Sequence, residues 1–235
     1  VAIYRDKTIA DDTTFKPLYN RSLRTLDFDL SVDSLEITNA QIGYTERHQK
    51  ENRGGKLTFS DLNAKIAQVG NTYKNPVVAE IHTVFMNNAR VAATWELDVH
   101  SPMDQFLFKA EVSAFDAGRI KDFVRPNLNA EIEGTAHKTY FIIDGNNENS
   151  TTDLRIKYSD LKVNILNKDK KKKRKLISAA ANIVIPKDSK NHEESFNEST
   201  GKTPRNKTQS VFNQLWISLE SALKEAILPG LLKNL

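Results

Sequence analysis

The fold is decided by residues 89–114, which read Ala-Arg-Val-Ala-Ala-Thr-Trp-Glu-Leu-Asp-Val-His-Ser-Pro-Met-Asp-Gln-Phe-Leu-Phe-Lys-Ala-Glu-Val-Ser-Ala. Apolar residues occupy every second position before and after the His-Ser-Pro-Met-Asp interruption at 100–104. Strict alternation is typical of a strand with one apolar face, because successive side chains point to opposite sides. The Pro- and Asp-containing interruption predicts that the two arms form an antiparallel hairpin.

Similar alternation recurs along most of the chain and predicts nine to eleven strands. We expect interruptions or bulges near Asp33, Asp61 and Asp160, where the parity of the apolar positions changes. Residues 115–126 lack alternation and predict a short helical turn stopped by Pro126. The predicted fold is therefore mainly β: a curled antiparallel meander, either an open groove or sandwich-like, with one C-terminal amphipathic α-helix.

The pattern predicts four segments. Residues 1–25 are expected to be a strand end and a loop continuing from a longer chain, and residues 26–186 the antiparallel β domain. Residues 187–209 are polar and predict a flexible linker. Residues 210–228 predict an amphipathic helix with a cap at Thr208 or Ser210 and a stop at Pro229. Its apolar face is predicted to carry Phe212, Leu215, Trp216, Leu219 and Leu223, whereas Gln214 and Ser218 fall on the predicted polar face.

Composition excludes several classes of protein. The 235 residues contain no cysteine, which excludes a disulfide framework and thiolate metal sites. No apolar run approaches the roughly 20 residues of a membrane-spanning helix. The mean hydropathy of −0.52 is that of a soluble chain. The missing initiator methionine suggests a C-terminal portion of something longer, whose anchor would lie upstream.

The net charge of +4 is concentrated in one block. Residues 168–175 carry a net charge of +6, so the rest of the chain has a net charge of −2. Such a block is usually a solvated loop. The functional alternative is that the block is attracted to anionic lipid headgroups. The candidate residues for a membrane surface are Lys170, Lys171, Lys172, Lys173, Arg174 and Lys175. Nucleic acid is disfavoured because no aromatic residue is interleaved with the lysines.

The sequence contains no recognisable catalytic motif. The nine glycines form neither a G-x-G-x-x-G fingerprint nor a phosphate-binding loop, and no G-x-S-x-G is present. Glu96, Asp98 and His100 share one face of a strand and could approach an ion, but a plain solvated face is the preferred reading. We predict no enzyme activity, no metal and no cofactor.

The predicted apolar strand surface exceeds what the helix can cover. A helix of about 19 residues is about 28 Å long and cannot shield ten strands. The sheet must therefore fold on itself or hold an apolar guest, and an acyl chain suits a long trough because hydrocarbon requires no hydrogen bonds. The residues predicted to line such a groove are Trp95, Leu97, Val99, Phe106, Phe108, Ala110 and Val112.

The order of features resembles the C-terminal regions of AsmA-like bacterial envelope proteins, over roughly residues 26–228. The resemblance rests on residues 95–99, the turn at 100–102, residues 106–108, 115–117, 128–129 and 133–134, and the return strand at 158–163. It implies a repeating β-groove fold in the periplasm of a Gram-negative bacterium, anchored to a membrane by a segment outside this sequence. It further implies lipid handling or outer-membrane biogenesis, with phospholipid or another acyl-chain lipid as ligand and membrane contact through the basic block and the C-terminal helix. The alternative is a structural or adhesion β-sandwich module that binds another protein.

Overall fold

A computed structural model of the chain describes residues 1–10, 12–47, 50, 53–128, 130–165, 189 and 195–227. Ten strands form one sheet in the order β1-β2-β3-β4-β5-β6-β8-β9-β10, with β7 paired to β8. The strands are β1 (Ala2–Asp6), β2 (Ser31–Arg47), β3 (Gly55–Gly70), β4 (Val77–Phe85), β5 (Ala89–Leu97), β6 (Phe106–Val112), β7 (Phe115–Asp116), β8 (Ala130–Gly145), β9 (Asn149–Ile165) and β10 (Asn197–Pro204). The helices are α1 (Tyr19–Arg24), α2 (Lys121–Leu128), which follows a 3-10 turn at Ala117–Ile120, and α3 (Val211–Ile227).

The sheet is antiparallel except that β1 runs parallel to β2. The sheet is curled and unclosed, and α3 follows it at the C-terminal end. The predicted fold, a mainly β curled antiparallel sheet with a C-terminal helix, is therefore confirmed. The predicted central hairpin is present, with Trp95 opposite Phe108 and Leu97 opposite Phe106.

Two long hairpins bend near their middles. The β2–β3 register shifts between Ile37 and Ile42, where Asn39 has a positive φ of 49°, and Asp61 on β3 has a φ of 50°. The β8–β9 register shifts around Gly134, which has a φ of 118° and lies against the Asp160 backbone. The bulges expected at Asp61 and Asp160 are therefore present. The one expected at Asp33 is not, and the β2 irregularity lies at Asn39 instead.

The bends bring distant parts of the sheet together around α2. This helix contacts β2, β3 and β8, and its Phe123 and Val124 form a buried cluster with Leu57 and Ala130. Because β3 and β8 are separated by three strands in the sheet order, α2 bridges across the concave side. Pro126 lies within α2 rather than ending it.

Two further expectations differ from the structure. The predicted N-terminal loop contains α1, because Leu18 is buried in the main core and Asn20 bonds to the β5–β6 loop. The predicted linker contains β10, whose polar residues pair with β9 through backbone hydrogen bonds, which do not require apolar side chains. Helix α3 begins and ends within one residue of its predicted bounds, and the Ser210 Oγ accepts a hydrogen bond from the Asn213 amide. The basic block and the apolar segment 176–185 lie outside the described residues.

Gly55 is a point where the bent hairpin meets α2 at van der Waals distance. A Cβ at this position would lie 2.3 Å from the Cα of Phe123 and 2.7 Å from the Asp122 carbonyl oxygen. We expect Gly55→Ala to lower the free energy of unfolding by about 1–3 kcal/mol, because α2 must shift. Urea denaturation measures this.

Gly201→Ala on β10 is the matched control for that substitution, since the added Cβ would lie 3.8 Å from its nearest neighbour, the Glu225 Oε2. Equal unfolding midpoints for the two variants would show that α2 does not seat tightly on β3.

Candidate functional site

The candidate site is the concave inner face of the sheet. Paired residues in an antiparallel ladder point to the same side, so the register defines two apolar rows that cross seven strands. The first row is Leu35, Ile66, Ala79, Trp95, Phe108, Ile143 and Thr152. The second row is Ile37, Ala64, Ile81, Ala93, Ala110, Phe141 and Leu154. Only Thr152, at the end of the first row, is polar.

Helix α3 covers one side of this face. It contacts β8, β9 and β10, and Leu215, Leu219 and Leu223 pack against the main core cluster. Phe212 at its N-terminus reaches Trp95 on β5, with ring centroids 6.0 Å apart. Trp216 contacts Phe123 of α2, with centroids 5.7 Å apart. The helix therefore lies inside the curl, as its predicted apolar face requires.

The seam between α3 and the sheet is polar, which the sequence pattern did not predict. Gln214 and Ser218 are buried, although the helical period assigned them to the solvated face. Ser150 and Ser218 share a hydrogen bond of 2.6 Å, and the Gln214 Nε2 donates to the Ser150 Oγ over 2.7 Å. The Ser199 Oγ donates to the Ala222 carbonyl oxygen. Polar side chains on β9 and β10 thus provide hydrogen-bond partners that the helix pattern alone could not reveal.

The opposite side of the inner face is open. We call the exposed inner surface of β2 formed by Leu35 and Ile37 the open wall. Ile66 on β3 and Ile81 on β4, beside it, are partly buried against the main core cluster. Leu35 is 45% exposed and Ile37 is 37% exposed, whereas Leu154 at the covered end of the second row is 1% exposed. Helix α1 covers the inner face near Trp95, and α2 covers it near the β2–β3 turn. Among the described residues, the inner face at Leu35 and Ile37 is left without such a cover.

Six of the residues predicted to line a groove lie on the inner face of β5 and β6, whereas Val99 lies in the β5–β6 loop, and most of the seven are covered. Trp95, Val99, Phe106 and Ala110 are buried, and Leu97, Phe108 and Val112 are partly buried against the same cluster. They form the floor, whereas the accessible apolar surface is the open wall. Sequence reasoning identified the alternation of Leu35, Ile37, Ile66 and Ile81, but it carried no signal for which part of the face the helices would cover.

The β5–β6 loop at one end of the trough is held by a buried charge cluster. Asp104, with no exposed side-chain surface, pairs with the Arg24 guanidinium and, at 2.7 Å, with the Arg21 Nε. Arg24 also donates to the Val99 and Ser101 carbonyl oxygens. Burial lowers the pKa of the nearby Arg205. This cluster locks α1 to the loop and fixes the end of the trough.

The other end is held by β1. The Arg47 guanidinium donates to Asp6 and holds the pKa of that carboxyl well below its usual range. Burial, followed by a hydrogen bond to Glu46, raises the pKa of Tyr44. The Arg47–Asp6 pair fastens β1 to β2, whereas the Tyr44–Glu46 hydrogen bond lies within β2.

Of the residues considered as a possible ion site, Asp98 and His100 instead stabilise the β5–β6 loop. Asp98 Oδ1 accepts hydrogen bonds from the amides of His100 and Ser101, and His100 Nε2 lies 2.7 Å from the Tyr73 carbonyl oxygen. Glu96 faces Lys109 at 3.5 Å. Within the described part of the chain, no group of three or more His, Asp or Glu side chains is placed to hold a metal ion.

The described helices include none that combines the length and apolarity needed to cross a membrane. Comparisons with protein-family models, with curated proteins and with solved structures give no match. The inner face itself is therefore the basis for assigning a function.

Asp104→Asn tests the charge cluster. Asparagine tolerates the positive φ of 57° at this position, so the change removes the negative charge with little backbone strain. We expect a loss of about 3 kcal/mol of unfolding free energy, because the arginines lose their buried counterion. Chemical denaturation measures the change.

Glu96→Gln on the outer face is the matched control, since it removes an exposed pair that contributes at most about 1 kcal/mol. A similar loss in the two variants would show that the Asp104 cluster does not hold α1.

Proposed function

We propose that this chain is a non-enzymatic lipid-binding module that shelters acyl chains along the open wall and the adjoining floor of the trough. The observation that carries the proposal is the pair of apolar rows across seven strands, which α3 covers mainly at β8–β10 and which stay exposed at Leu35 and Ile37. Hydrocarbon binds such a surface by removing it from water, at about 25 cal/mol per Å², and requires no polar partner.

The chemistry of the inner face supports a lipid over a polar ligand. The inner side chains of β2–β6 in the two rows are aliphatic or aromatic, and the charged residues of the same strands alternate onto the outer face, as Lys65, Glu80 and Lys109 do. A carbohydrate or nucleotide would leave its hydroxyl or phosphate groups without hydrogen-bond partners on such a wall. An acyl chain has no such groups.

The resemblance to AsmA-like proteins agrees with this proposal. It adds the periplasm of a Gram-negative bacterium and a role in lipid handling or outer-membrane biogenesis as the setting that we propose. Fractionation of the native cells, followed by detection of the protein with an antibody, tests the compartment separately from the ligand.

The chain carries its own reporters of lipid in the trough. Its two tryptophans are Trp95, in the first apolar row, and Trp216, on α3 against Phe123. A phospholipid with brominated acyl chains should therefore quench tryptophan fluorescence on binding, whereas the same lipid without bromine should not. Mass spectrometry of a solvent extract of the purified protein identifies any lipid that is already bound.

A matched pair of variants tests where the lipid binds. Ile37→Lys places a charge on the open wall, and Ile142→Lys places the same charge at a similarly exposed position on the outer face. We expect Ile37→Lys to weaken brominated-lipid binding at least tenfold, or ~1.4 kcal/mol, because an acyl chain would bury the ammonium group. We expect Ile142→Lys to bind as the unmodified chain does. Equal quenching by all three proteins, or none by the unmodified chain, contradicts the proposal.

A second function, binding of another protein, is favoured by the exposed edge of β2. Within the described part of the chain, β1 pairs with this edge only at residues 43–47, and the Val1 terminus donates to the Gln41 carbonyl oxygen. Among the described residues, 31–38 have no strand partner on this edge. The outer-face row beside the edge alternates in charge through Glu36, Lys65 and Glu80. A strand from a partner protein could add to this edge with its apolar residues on the inner face and a basic residue opposite Glu36. It would extend both the apolar rows and the row of alternating charges.

A labelled peptide of alternating lysine and isoleucine tests this second function by fluorescence anisotropy. We expect Glu36→Lys to weaken peptide binding while leaving lipid quenching unchanged, because Glu36 lies on the outer face. Peptide binding by the unmodified chain, combined with a clean solvent extract and no quenching, would favour the protein-binding function over the lipid-binding one.

A further inference from the structure

Several large apolar side chains are exposed together at the end of the trough closed by α1. We call the surface formed by Phe15, Tyr19, Met103 and Phe212 the aromatic end. Each of these side chains is between 43% and 48% exposed. Tyr19 contacts Phe212, with ring centroids 6.3 Å apart, and Phe15 lies under the Arg21 guanidinium at 5.4 Å. Met103 precedes Asp104, which pairs with Arg21, so residues from three parts of the chain lie around α1.

The backbone beneath the aromatic end is firmly held. Arg21 stacks on Phe15 and pairs with Asp104, the residue next to Met103. The Asn147 amide donates to the Met103 carbonyl oxygen, and Arg205 donates to Asn147 and to the Lys16 carbonyl oxygen. The exposed rings are thus presented by a buried network rather than by a loosely attached segment.

The charged groups around the aromatic end are mainly basic. Arg21 and Arg205 contact it directly, and the charged groups linked to their network or to its backbone are Lys16, Arg24 and Lys207 against Asp12, Asp104 and Glu148. Arg21 and Arg205 both approach the Phe15 ring, at 5.4 and 6.0 Å from its centroid. Aromatic rings interleaved with arginine and lysine are characteristic of surfaces that lie in the headgroup region of a bilayer. The basic excess favours anionic lipids.

The aromatic end also adjoins the trough. Tyr19 and Phe212 both contact Trp95, with centroids 5.8 and 6.0 Å apart, and Trp95 belongs to the first apolar row. The side chains on the surface are therefore continuous with the apolar floor. We propose that the aromatic end docks on an anionic lipid membrane through Phe15, Tyr19, Met103 and Phe212.

This surface differs from the predicted membrane contacts. The basic block follows β9, whose last residue pairs with Ala130 beside α2, whereas the aromatic end lies beside α1. Phe212 belongs to the predicted apolar face of the C-terminal helix, but Leu215, Leu219 and Leu223 on that face pack inside the trough. Only the first turn of α3 contributes to docking.

Flotation of the full chain with vesicles tests the proposal. The two probes are phosphatidylcholine vesicles and vesicles of phosphatidylcholine mixed with phosphatidylglycerol. We expect stronger binding to the anionic vesicles, decreasing as salt screens the charges. We expect the double variant Phe15→Ser/Phe212→Ser to bind at least fivefold more weakly, because two exposed rings can no longer enter the interface.

The double variant Tyr140→Ser/Ile142→Ser is the matched control, since it removes similarly exposed apolar groups from the outer face. A second comparison replaces Lys170, Lys171, Lys172 and Lys173 with glutamine. Unchanged flotation of the Phe15→Ser/Phe212→Ser variant overturns the proposal, as does an equal loss in the outer-face control or a loss confined to the lysine variant. Circular dichroism of each variant confirms that the sheet is intact.

The docking proposal and the lipid-binding proposal fail separately. Flotation without quenching by brominated lipid presented in detergent micelles would retain the docking surface and reject lipid binding in the trough. Quenching in micelles without flotation would reject docking and retain the lipid site.

Discussion

The structure depends on how three helices cover the long apolar inner face of the sheet, which is larger than the area they can bury. Two rows of apolar side chains run from β2 to β9, and each position must either meet another part of the protein or remain in contact with water. Helix α3 covers β8–β10, α1 covers the region of Trp95, and α2 bridges β3 and β8. The face at Leu35 and Ile37 receives no such cover and remains exposed. The unequal covering of one continuous surface is the physical basis of the lipid-binding function that we propose.

Curvature makes this covering possible. The bulges at Asn39 and Asp61 bend the β2–β3 hairpin, and Gly134 and Asp160 mark the bend in β8–β9. Bulges increase local twist and bend a strand, so the bent arms can meet Phe123 on the same short helix. The contact of Gly55 with the Phe123 backbone shows how closely they approach.

The polar seam between α3 and the sheet orients the helix, which burial of apolar surface alone would not do. Gln214, Ser150 and Ser218 are joined by hydrogen bonds, so the helix is positioned by directional contacts as well as by burial. Leu215, Leu219 and Leu223 of this helix pack against the main core beside the seam. The arrangement fixes the orientation of the helix and places Phe212 near Trp95, where it contributes to both the floor and the aromatic end.

The sequence alone determined the strand-rich fold, the central hairpin, the bulges at Asp61 and Asp160, and the bounds of α3, because each depends on a local period or interruption. It did not reveal α1 or β10, since Leu18 is ordered by the core and the polar β10 by backbone pairing with β9. It also assigned Gln214 and Ser218 to solvent, because a helical period cannot show that Ser150 will lie opposite them. Only the tertiary structure decided which apolar residues are floor and which are open wall. Alternation marks every inner residue alike, and coverage depends on helices brought from distant parts of the chain.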